Sequence, residues 1–402
     1  MTALRTTPVE KPAAASSPDG YVVVTHAYGE HGSCDPLHVD LSIQLIREAL
    51  GPKPEILIHA ANDAPANDHG SVIGAPGFSG SIFDKLAGCT RIAAGLSGEK
   101  YVFRGGFPKL EEVQPSLIVG CGGGYLRTSN NRETVRTTLA HLPQVLWATN
   151  QPVPSIYLSQ SIGPLGTRSG RRLRDAIERI DHLFVRDDRT ASLFLHHDGL
   201  RRAPDLAVMD FVRRLPENLN DAGREKLYLA VDKIPNHLRN TDGLVDRLSK
   251  LHDLLPDVEV LRGNDGKSNK SLQQVWDKLG WEKPERTIDD ALRQGPSGVM
   301  ISISLEGALG AMLAGWPAVH LATQRKGFGA FADLNLSGFI HKATCFDPNE
   351  VANIATSLRF GRIGFWDGVE TARATCEAER TYMTDLIGLS YIKGQNRRRA
   401  LA

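Results

Sequence analysis

The stretch PSLIVGCGGGYL, residues 115–126, decides the fold, because an apolar strand runs directly into a cluster of glycines. A short run of apolar residues bounded by glycine is typical of a strand that is buried on both faces of a sheet. A glycine-rich turn straight after such a strand is typical of the strand–turn–helix units of parallel α/β proteins. This stretch therefore predicts a parallel sheet with helices on both faces.

The same alternation of strands and helices extends on both sides of the stretch. Upstream, residues 21–28 are rich in β-branched side chains and predict a strand, and residues 37–50 have the apolar spacing of a helix. Downstream, residues 132–149 predict a helix and residues 154–164 a strand followed by a loop. After a polar segment at 212–225 the alternation starts again. The chain is therefore predicted to be α/β, with two Rossmann-like domains facing each other across a cleft.

The predicted organisation has four parts. They are a disordered lead-in at 1–20, an N-terminal Rossmann-like domain at 21–215, a C-terminal Rossmann-like domain at 216–375, and a C-terminal helix with a basic tail at 376–402. The lead-in carries no apolar segment of the kind found in secretory signals, and no stretch approaches the roughly 20 apolar residues of a membrane span.

The composition excludes some classes of function. The 402 residues include 47 Lys and Arg against 46 Asp and Glu, so the formal net charge is +1. A dedicated nucleic-acid binder would carry a basic excess, so no nucleic-acid partner is predicted. The cysteines are five in number, and none of their spacings matches a metal or redox motif, which predicts free thiols and no metal site.

Candidate functional residues follow the predicted strands of the first half. Glycine-rich turns at 29–32, 120–124 and 159–164 leave room for a ligand to approach the backbone, and the helix after each turn offers free N–H groups to an anion. Arg186 ends an apolar strand, where folding needs no charge. It is predicted either to bind an anion or to pair with Asp187 or Asp188.

In the second half, the informative segment is 301–329. Glu306 opens a helix of small residues, where a carboxylate either balances the helix dipole or acts as a catalytic acid or base. Arg325 and Lys326 follow the next strand and form a candidate anion clamp. Near the first turn, His26, His31 and His38 lack zinc-site spacing, so they are read as loop histidines, of which one could act as a base.

These segments, in this order, resemble the polysaccharide pyruvyl transferase family. The resemblance rests on IVGCGGGYL, IYLSQSIGPL, LFVRDDRTASLFLHHDG, the segment 203–207 (APDLA) and ISISLEGALGAMLAGWPAVHLATQRKGFG. It implies a GT-B-like pair of domains and the transfer of an enolpyruvyl-derived group from phosphoenolpyruvate to a sugar, which forms a pyruvate ketal. It also implies a glycan or lipid-linked sugar as acceptor and no cofactor. A lipid-linked acceptor would place a cytoplasmic enzyme against the inner membrane face.

The resemblance also implies which residues act, with the acceptor on the N-terminal domain and the donor mainly on the C-terminal one. The catalytic residues are Glu306 and Arg186. The donor-binding residues are Ser304, Arg325, Lys326, Gly163, Ser161 and Arg127. The acceptor-binding residues are predicted from their positions and not from the resemblance: Tyr28, Asp35 and His38 lie at the edge of the first turn, and Gly123 and Gly124 in the second glycine-rich turn.

One departure from the family changes the chemistry of the site. The family's Arg-Leu-His is replaced here by Ser304-Leu305-Glu306. Glu306 could still donate a proton if burial raises its pKa, and Arg325 or Lys326 could replace the lost cation. Two alternatives stay open: a GT-B-like glycosyltransferase that uses a nucleotide sugar, and a catalytically silent partner protein.

Overall fold

The computed structural model describes residues 20–27, 36–60, 71–74, 114–231, 242–263, 276–277, 279, 281–282 and 284–401. By contacts within the chain it divides into two compact units. The first unit ends at Ala207 and takes the chain up again at Arg380, and the second unit is Val208–Glu379. The predicted lead-in, apart from Gly20, lies outside the described residues.

The first unit contains an eight-stranded sheet among its described residues, and all the paired strands are parallel. The strands are β1 (Tyr21–Ala27), β2 (Glu55–Ala60), β3 (Ser71–Gly74), β4 (Pro115–Gly120), β5 (Gly123–Leu126), β6 (Ser155–Ile162), β7 (His182–Val185) and β8 (Leu200–Arg202). Their order is β3-β2-β1-β4-β6-β7-β8, and β5 pairs with β6. Every residue of β4 is buried, as its apolar sequence predicts.

Helices and one π-helical turn connect these strands. They are α1 (Pro36–Leu50), α2 (Asn131–Arg136), the π turn (Thr137–His141), α3 (Leu142–Asn150), α4 (Arg168–Ile177) and α5 (Asp188–Leu193). Helix α6 (Leu206–Arg214) follows β8, and its residues from Val208 onward belong to the second unit. The single helix predicted at 132–149 is therefore divided by the π turn. The glycine cluster also differs from the prediction, because Gly123 and Gly124 begin strand β5 instead of forming a turn.

The second unit is built on a separate sheet of five parallel strands. These are β9 (Lys226–Ala230), β10 (Glu259–Leu261), β11 (Gly298–Ser302), β12 (Ala318–Ala322) and β13 (Ile340–Lys342), in the order β10-β9-β11-β12-β13. The helices that follow are α7 (Asp242–Leu254), α8 (Ile288–Gln294), α9 (Leu305–Leu313), α10 (Arg325–Asp333), α11 (Pro348–Arg359) and α12 (Trp366–Leu401). A short 3₁₀ turn, Ser337–Phe339, precedes β13.

The two parallel sheets confirm the predicted fold class, an α/β chain with two Rossmann-like domains. The cleft between the domains stays a prediction. The C-terminal helix α12 begins at Trp366, before the predicted boundary at 376. From Arg380 onward it belongs to the first unit, where the Arg380 guanidinium bonds Glu48 Oε1 at 2.5 Å and Arg201 lies 3.8 Å from the centre of the Tyr382 ring.

The parallel direction of the strands has a direct consequence for function. The carboxyl ends of β1, β4, β6 and β7 lie at one edge of the first sheet, and those of β9, β11 and β12 at one edge of the second. In open α/β sheets this edge is where ligands bind. Ser161, Arg186 and Ser304 lie at or just after the carboxyl ends of strands, so these predicted site residues lie at the two edges.

Candidate functional site

Arg186 lies directly after β7, at the carboxyl edge of the first sheet. Its Nε donates a hydrogen bond of 2.7 Å to Ser161 Oγ, and its Nη1 forms an ion pair with Asp205. The expected pairing of Arg186 with Asp187 or Asp188 is therefore wrong. Asp187 caps helix α5, and Asp188 is an exposed residue paired with another arginine.

Asp205 connects three groups at this edge and was missed in the sequence. Its Oδ1 accepts hydrogen bonds of 2.9 Å from His38 Nε2 and from the Ala207 N–H, and its Oδ2 pairs with Arg186. Burial by itself would raise the pKa of Asp205, but the His38 hydrogen bond and the Arg186 charge outweigh it and hold the pKa well below its usual range. The residue is therefore a carboxylate at neutral pH. In the sequence, the segment 203–207 was the signal that could have pointed to Asp205.

His38 lies in the first turn of α1, close to the glycine cluster. Its side chain is 11% exposed. A Cβ added at Gly122 would lie 3.4 Å from His38 Cδ2, so the imidazole packs against the chain just after β4. The structure thus brings this predicted acceptor residue together with Asp205 and, through it, with Arg186.

Gly124 leaves the space that the Arg186 guanidinium occupies. A Cβ at position 124 would lie 2.9 Å from Arg186 Nη2 and 3.8 Å from Ser161 Cβ. Contacts as short as the first are almost never seen for a real Cβ, so any other residue would displace the guanidinium. Gly124 and Ser161 therefore lie in the same cluster as Arg186. We call the set formed by Arg186, Ser161, Gly124, Asp205 and His38 the Arg186 cluster.

Two residues of the first unit that were predicted to bind the donor substrate lie outside the Arg186 cluster. Arg127 is half exposed, and its Nε pairs with Glu133 Oε1 at 2.9 Å at the start of α2. Gly163 has a φ of +96°, which favours glycine, and its N–H donates to the Leu126 carbonyl at 2.8 Å. Among the described residues, neither bonds a member of the Arg186 cluster. Predicted acceptor residues Tyr28 and Asp35 lie outside the described residues. A Cβ added at Gly123 would lie 2.8 Å from the Tyr125 ring.

At the carboxyl edge of the second sheet, the structure brings Glu306 and Lys326 together. Ser304 is the N-cap of α9, where its Oγ accepts a hydrogen bond of 3.0 Å from the Gly307 N–H. Glu306 lies in the first turn, and its Oε1 is 3.8 Å from Lys326 Nζ in α10. Arg325, beside it, is exposed. Ser304 therefore has a structural role in addition to any donor contact.

The burial expected for Glu306 is not found. Its side chain is 64% exposed, and that of Lys326 is 59% exposed. The burial on which the predicted role of Glu306 as a proton donor depends is therefore absent.

A buried histidine cluster lies behind the edge of the first sheet. His26 is fully buried and has a φ of 66°, a backbone conformation that is rare outside glycine. Its Nε2 is 2.9 Å from Tyr157 Oη and its Nδ1 is 3.3 Å from His141 Nδ1. His141 ends the π turn and stacks on Tyr125 with ring centres 4.7 Å apart. The reading of His26 as a loop histidine is therefore wrong, since it ends strand β1 inside the core.

Burial keeps these histidines neutral. It lowers the pKa of His59 and of His141 to about 3, and with the neighbouring His141 and His59 it lowers the pKa of His26 well below its usual value. The histidine cluster consists of His26 in β1, His59 in β2 and His141 in the π turn. The sequence could not predict it, because these elements are far apart along the chain.

Substitution of Gly327 by alanine is expected to destabilise the second unit by about 1–3 kcal/mol. His320 is buried and its Nδ1 donates to the Ser302 carbonyl at 3.0 Å, while a Cβ at position 327 would lie 2.6 Å from His320 Nε2. The matched control is Gly329→Ala in the same helix, where a Cβ meets nothing within 4 Å and the change should stabilise by up to about 1 kcal/mol. Urea unfolding measures the free energy of unfolding of both variants. Equal unfolding midpoints for the two variants would contradict this close packing.

The described residues contain neither a metal-binding cluster nor a membrane-spanning helix. No group of three or more His, Cys, Asp or Glu side chains among them could hold a metal ion. None of the helices in the same residues is both long and apolar enough to cross a membrane.

Solved structures with similar backbones share little sequence with this chain. UDP-GlcNAc 2-epimerase from Neisseria meningitidis is 11% identical over 93% of this chain and 100% of its own, with a TM-score of 0.49. The spinosyn rhamnosyltransferase SpnG is 14% identical over 92% and 99%, with a TM-score of 0.42. The glycotransferase of kitacinnamycin is 13% identical over 92% and 99%, with a TM-score of 0.47. No curated protein matches the chain.

The sequence model of one family covers most of the chain. The model for polysaccharide pyruvyl transferases matches residues 37–293, which include every member of the Arg186 cluster and end before α9. The match spans more than half of the 402 residues, and it agrees with the resemblance carried by the segments after β4, β6 and β7. The chain therefore belongs to the polysaccharide pyruvyl transferase family, and it is a transferase.

Proposed function

We propose that the protein transfers a pyruvyl group from phosphoenolpyruvate to two hydroxyls of a sugar in a polysaccharide or glycolipid precursor, forming a ketal. Family membership supports a transferase with a glycan acceptor. The observation that carries the choice of donor is the geometry of Arg186. Its guanidinium is held by Ser161 and Asp205 at a sheet edge, and the absence of a side chain at Gly124 leaves the space in which Nη2 lies.

Phosphoenolpyruvate carries a carboxylate and a phosphate, and a forked guanidinium is suited to both groups. Among the described residues, Nη2 of Arg186 donates no hydrogen bond, so the side chain keeps donor capacity for an anion. The carboxylate of Asp205 neutralises part of the positive charge of Arg186. In this proposal Arg186 therefore orients the anionic groups of phosphoenolpyruvate more than it adds net positive charge. The N–H groups of the adjoining turns supply the remaining hydrogen bonds.

The reaction consumes two sugar hydroxyls and one phosphoenolpyruvate. A proton adds to the methylene carbon, one hydroxyl oxygen bonds to C2, and the C2–O bond to phosphate breaks with its electron pair leaving on phosphate. The second hydroxyl then bonds to C2 and closes the ketal. Glu306 stands at the position of the family's histidine and is the candidate donor of the first proton. It is exposed beside Lys326 in this structure, so this role requires bound substrate to cover the carboxyl group.

Phosphoenolpyruvate is expected to raise the unfolding midpoint of the wild type, and Arg186→Ala is expected to abolish that rise. A ligand at a hundredfold excess over its Kd stabilises the native state by about 2.7 kcal/mol. Gly124→Ala should also abolish it, because the new Cβ would displace Nη2. The control is Gly166→Ala, where a Cβ meets nothing within 4 Å. Release of inorganic phosphate in the presence of methyl glucoside reports the transfer itself.

The alternatives give different results in the same measurement. An unfolding midpoint that rises with a nucleotide sugar and not with phosphoenolpyruvate would support the glycosyltransferase. An unfolding midpoint that rises with neither ligand, together with no phosphate release, would support the catalytically silent partner. Protection by phosphoenolpyruvate that persists in Arg186→Ala would contradict the role given to this arginine.

A further inference from the structure

The two nitrogens of the His38 imidazole differ in their contacts. Nε2 lies 2.9 Å from Asp205 Oδ1, while Nδ1 is buried and has no hydrogen-bond partner among the described residues. A buried polar atom without a partner is costly in a folded protein and is common where a ligand supplies the missing group. The ring lies against Gly122 at the carboxyl edge of the first sheet, where the acceptor is proposed to bind.

The contacts of Asp205 decide where the proton of His38 resides. An ionised carboxylate can only accept hydrogen bonds, so Nε2 of His38 must carry the hydrogen. In the neutral ring the lone pair is then on Nδ1, the nitrogen that lacks a partner. Asp205 is itself fixed by the Ala207 N–H and by Arg186, which holds the imidazole in one orientation and one tautomer.

We propose that His38 is the general base that accepts the proton of the attacking sugar hydroxyl at Nδ1, with Asp205 as its positioning residue. This inference rests on the proposed function. An imidazole oriented by a carboxylate is suited to this role, because the carboxylate stabilises the imidazolium that forms.

The protons of the reaction balance with this assignment. The O–H bond of the first hydroxyl breaks as its oxygen bonds to C2, and the proton goes to Nδ1 of His38. His38 then returns this proton to the departing phosphate, which leaves as hydrogen phosphate. The acid that gave its proton to the methylene carbon recovers one from the second hydroxyl. One ketal and one hydrogen phosphate result, and both protein groups return to their starting states.

His38→Gln is the test variant, because the glutamine amide can donate to Asp205 as Nε2 does but offers no basic nitrogen at Nδ1. We expect it to keep the thermal protection by phosphoenolpyruvate and to lose phosphate release by about 10²- to 10⁴-fold. The acidic limb of the pH–rate profile should disappear in this variant. Asp205→Asn should shift that limb. The control is His196→Gln, at an exposed histidine of the same unit, and it should match the wild type.

A measurement without turnover tests the tautomer. In ¹⁵N-histidine spectra, the resonance pair missing from His38→Gln should show a protonated Nε2 and an unprotonated Nδ1. The opposite tautomer would overturn the proposal, as would phosphate release by His38→Gln within about twofold of the wild type. A wild type that is neither protected by phosphoenolpyruvate nor releases phosphate would overturn the proposed function, and the base role with it.

Discussion

Acidification from pH 7 to pH 5 is expected to lower the free energy of unfolding of the first unit by about 4 kcal/mol, from His59 and His141 alone. Burial lowers the pKa of both residues to about 3, whereas an unfolded chain binds a proton on each near pH 6.5. Between these values the unfolded state holds more protons than the folded state, so stability falls as the pH falls. His26 acts in the same direction.

Urea unfolding at pH 7, 6 and 5 measures this effect, with hydrogen exchange of β4 reporting the first unit. His141→Gln removes one titrating group and should flatten the dependence, whatever its own stability at pH 7. His196→Gln, at an exposed position, should leave the dependence unchanged. Asp205 does not interfere, because its lowered pKa affects stability only below the ordinary value of 3.8. A constant urea midpoint from pH 7 to pH 5 would contradict the buried neutral cluster.

Asp205→Ala is expected to destabilise the first unit by about 3–5 kcal/mol. The substitution leaves the partly buried Arg186 guanidinium without its counter-charge and leaves the Ala207 N–H and His38 Nε2 without an acceptor. Removing one member of a buried ion pair lowers the free energy of unfolding more than removing both members does. The double variant Asp205→Ala with Arg186→Met should therefore recover part of the loss in a double-mutant cycle.

The control for this cycle is Asp188→Asn. Asp188 also pairs with an arginine, Arg202, at 3.3 Å, but its side chain is 97% exposed. Exposed pairs contribute roughly 0–1 kcal/mol, so this variant should unfold almost as the wild type does. Equal losses in Asp188→Asn and Asp205→Ala would show that the burial of the Arg186 cluster has no energetic importance.

The fold could be predicted from sequence because its signals are local. A run such as residues 115–120 needs only its own apolar side chains to indicate a buried strand, and the glycines after it indicate where the strand ends. Parallel strands then place their carboxyl ends at one edge, so the sequence alone points to Arg186, Ser161 and Gly124 near strand ends and to His38 near the first turn. The π turn was missed, because nothing in 132–149 distinguishes it from a regular helix.

The partners of these residues could not be predicted, because they depend on contacts between distant parts of the chain. Arg186 was matched with the adjacent Asp187 or Asp188, yet its partner is Asp205, brought alongside by the pairing of β7 with β8. His26 meets His141 across 115 residues of sequence. The exposure of Glu306 is likewise a property of the folded second unit.

The division of the chain into units also sets an order for biosynthesis. The strands β1 to β8 leave the ribosome first, but their unit lacks Arg380 and Tyr382, which bond Glu48 and cover Arg201, until the whole of Val208–Glu379 has been translated. Domains usually fold in the order of their synthesis. Here the continuous second unit can complete its fold while the first unit still waits for its closing helix, so the part of the enzyme that begins folding first is the part that finishes last.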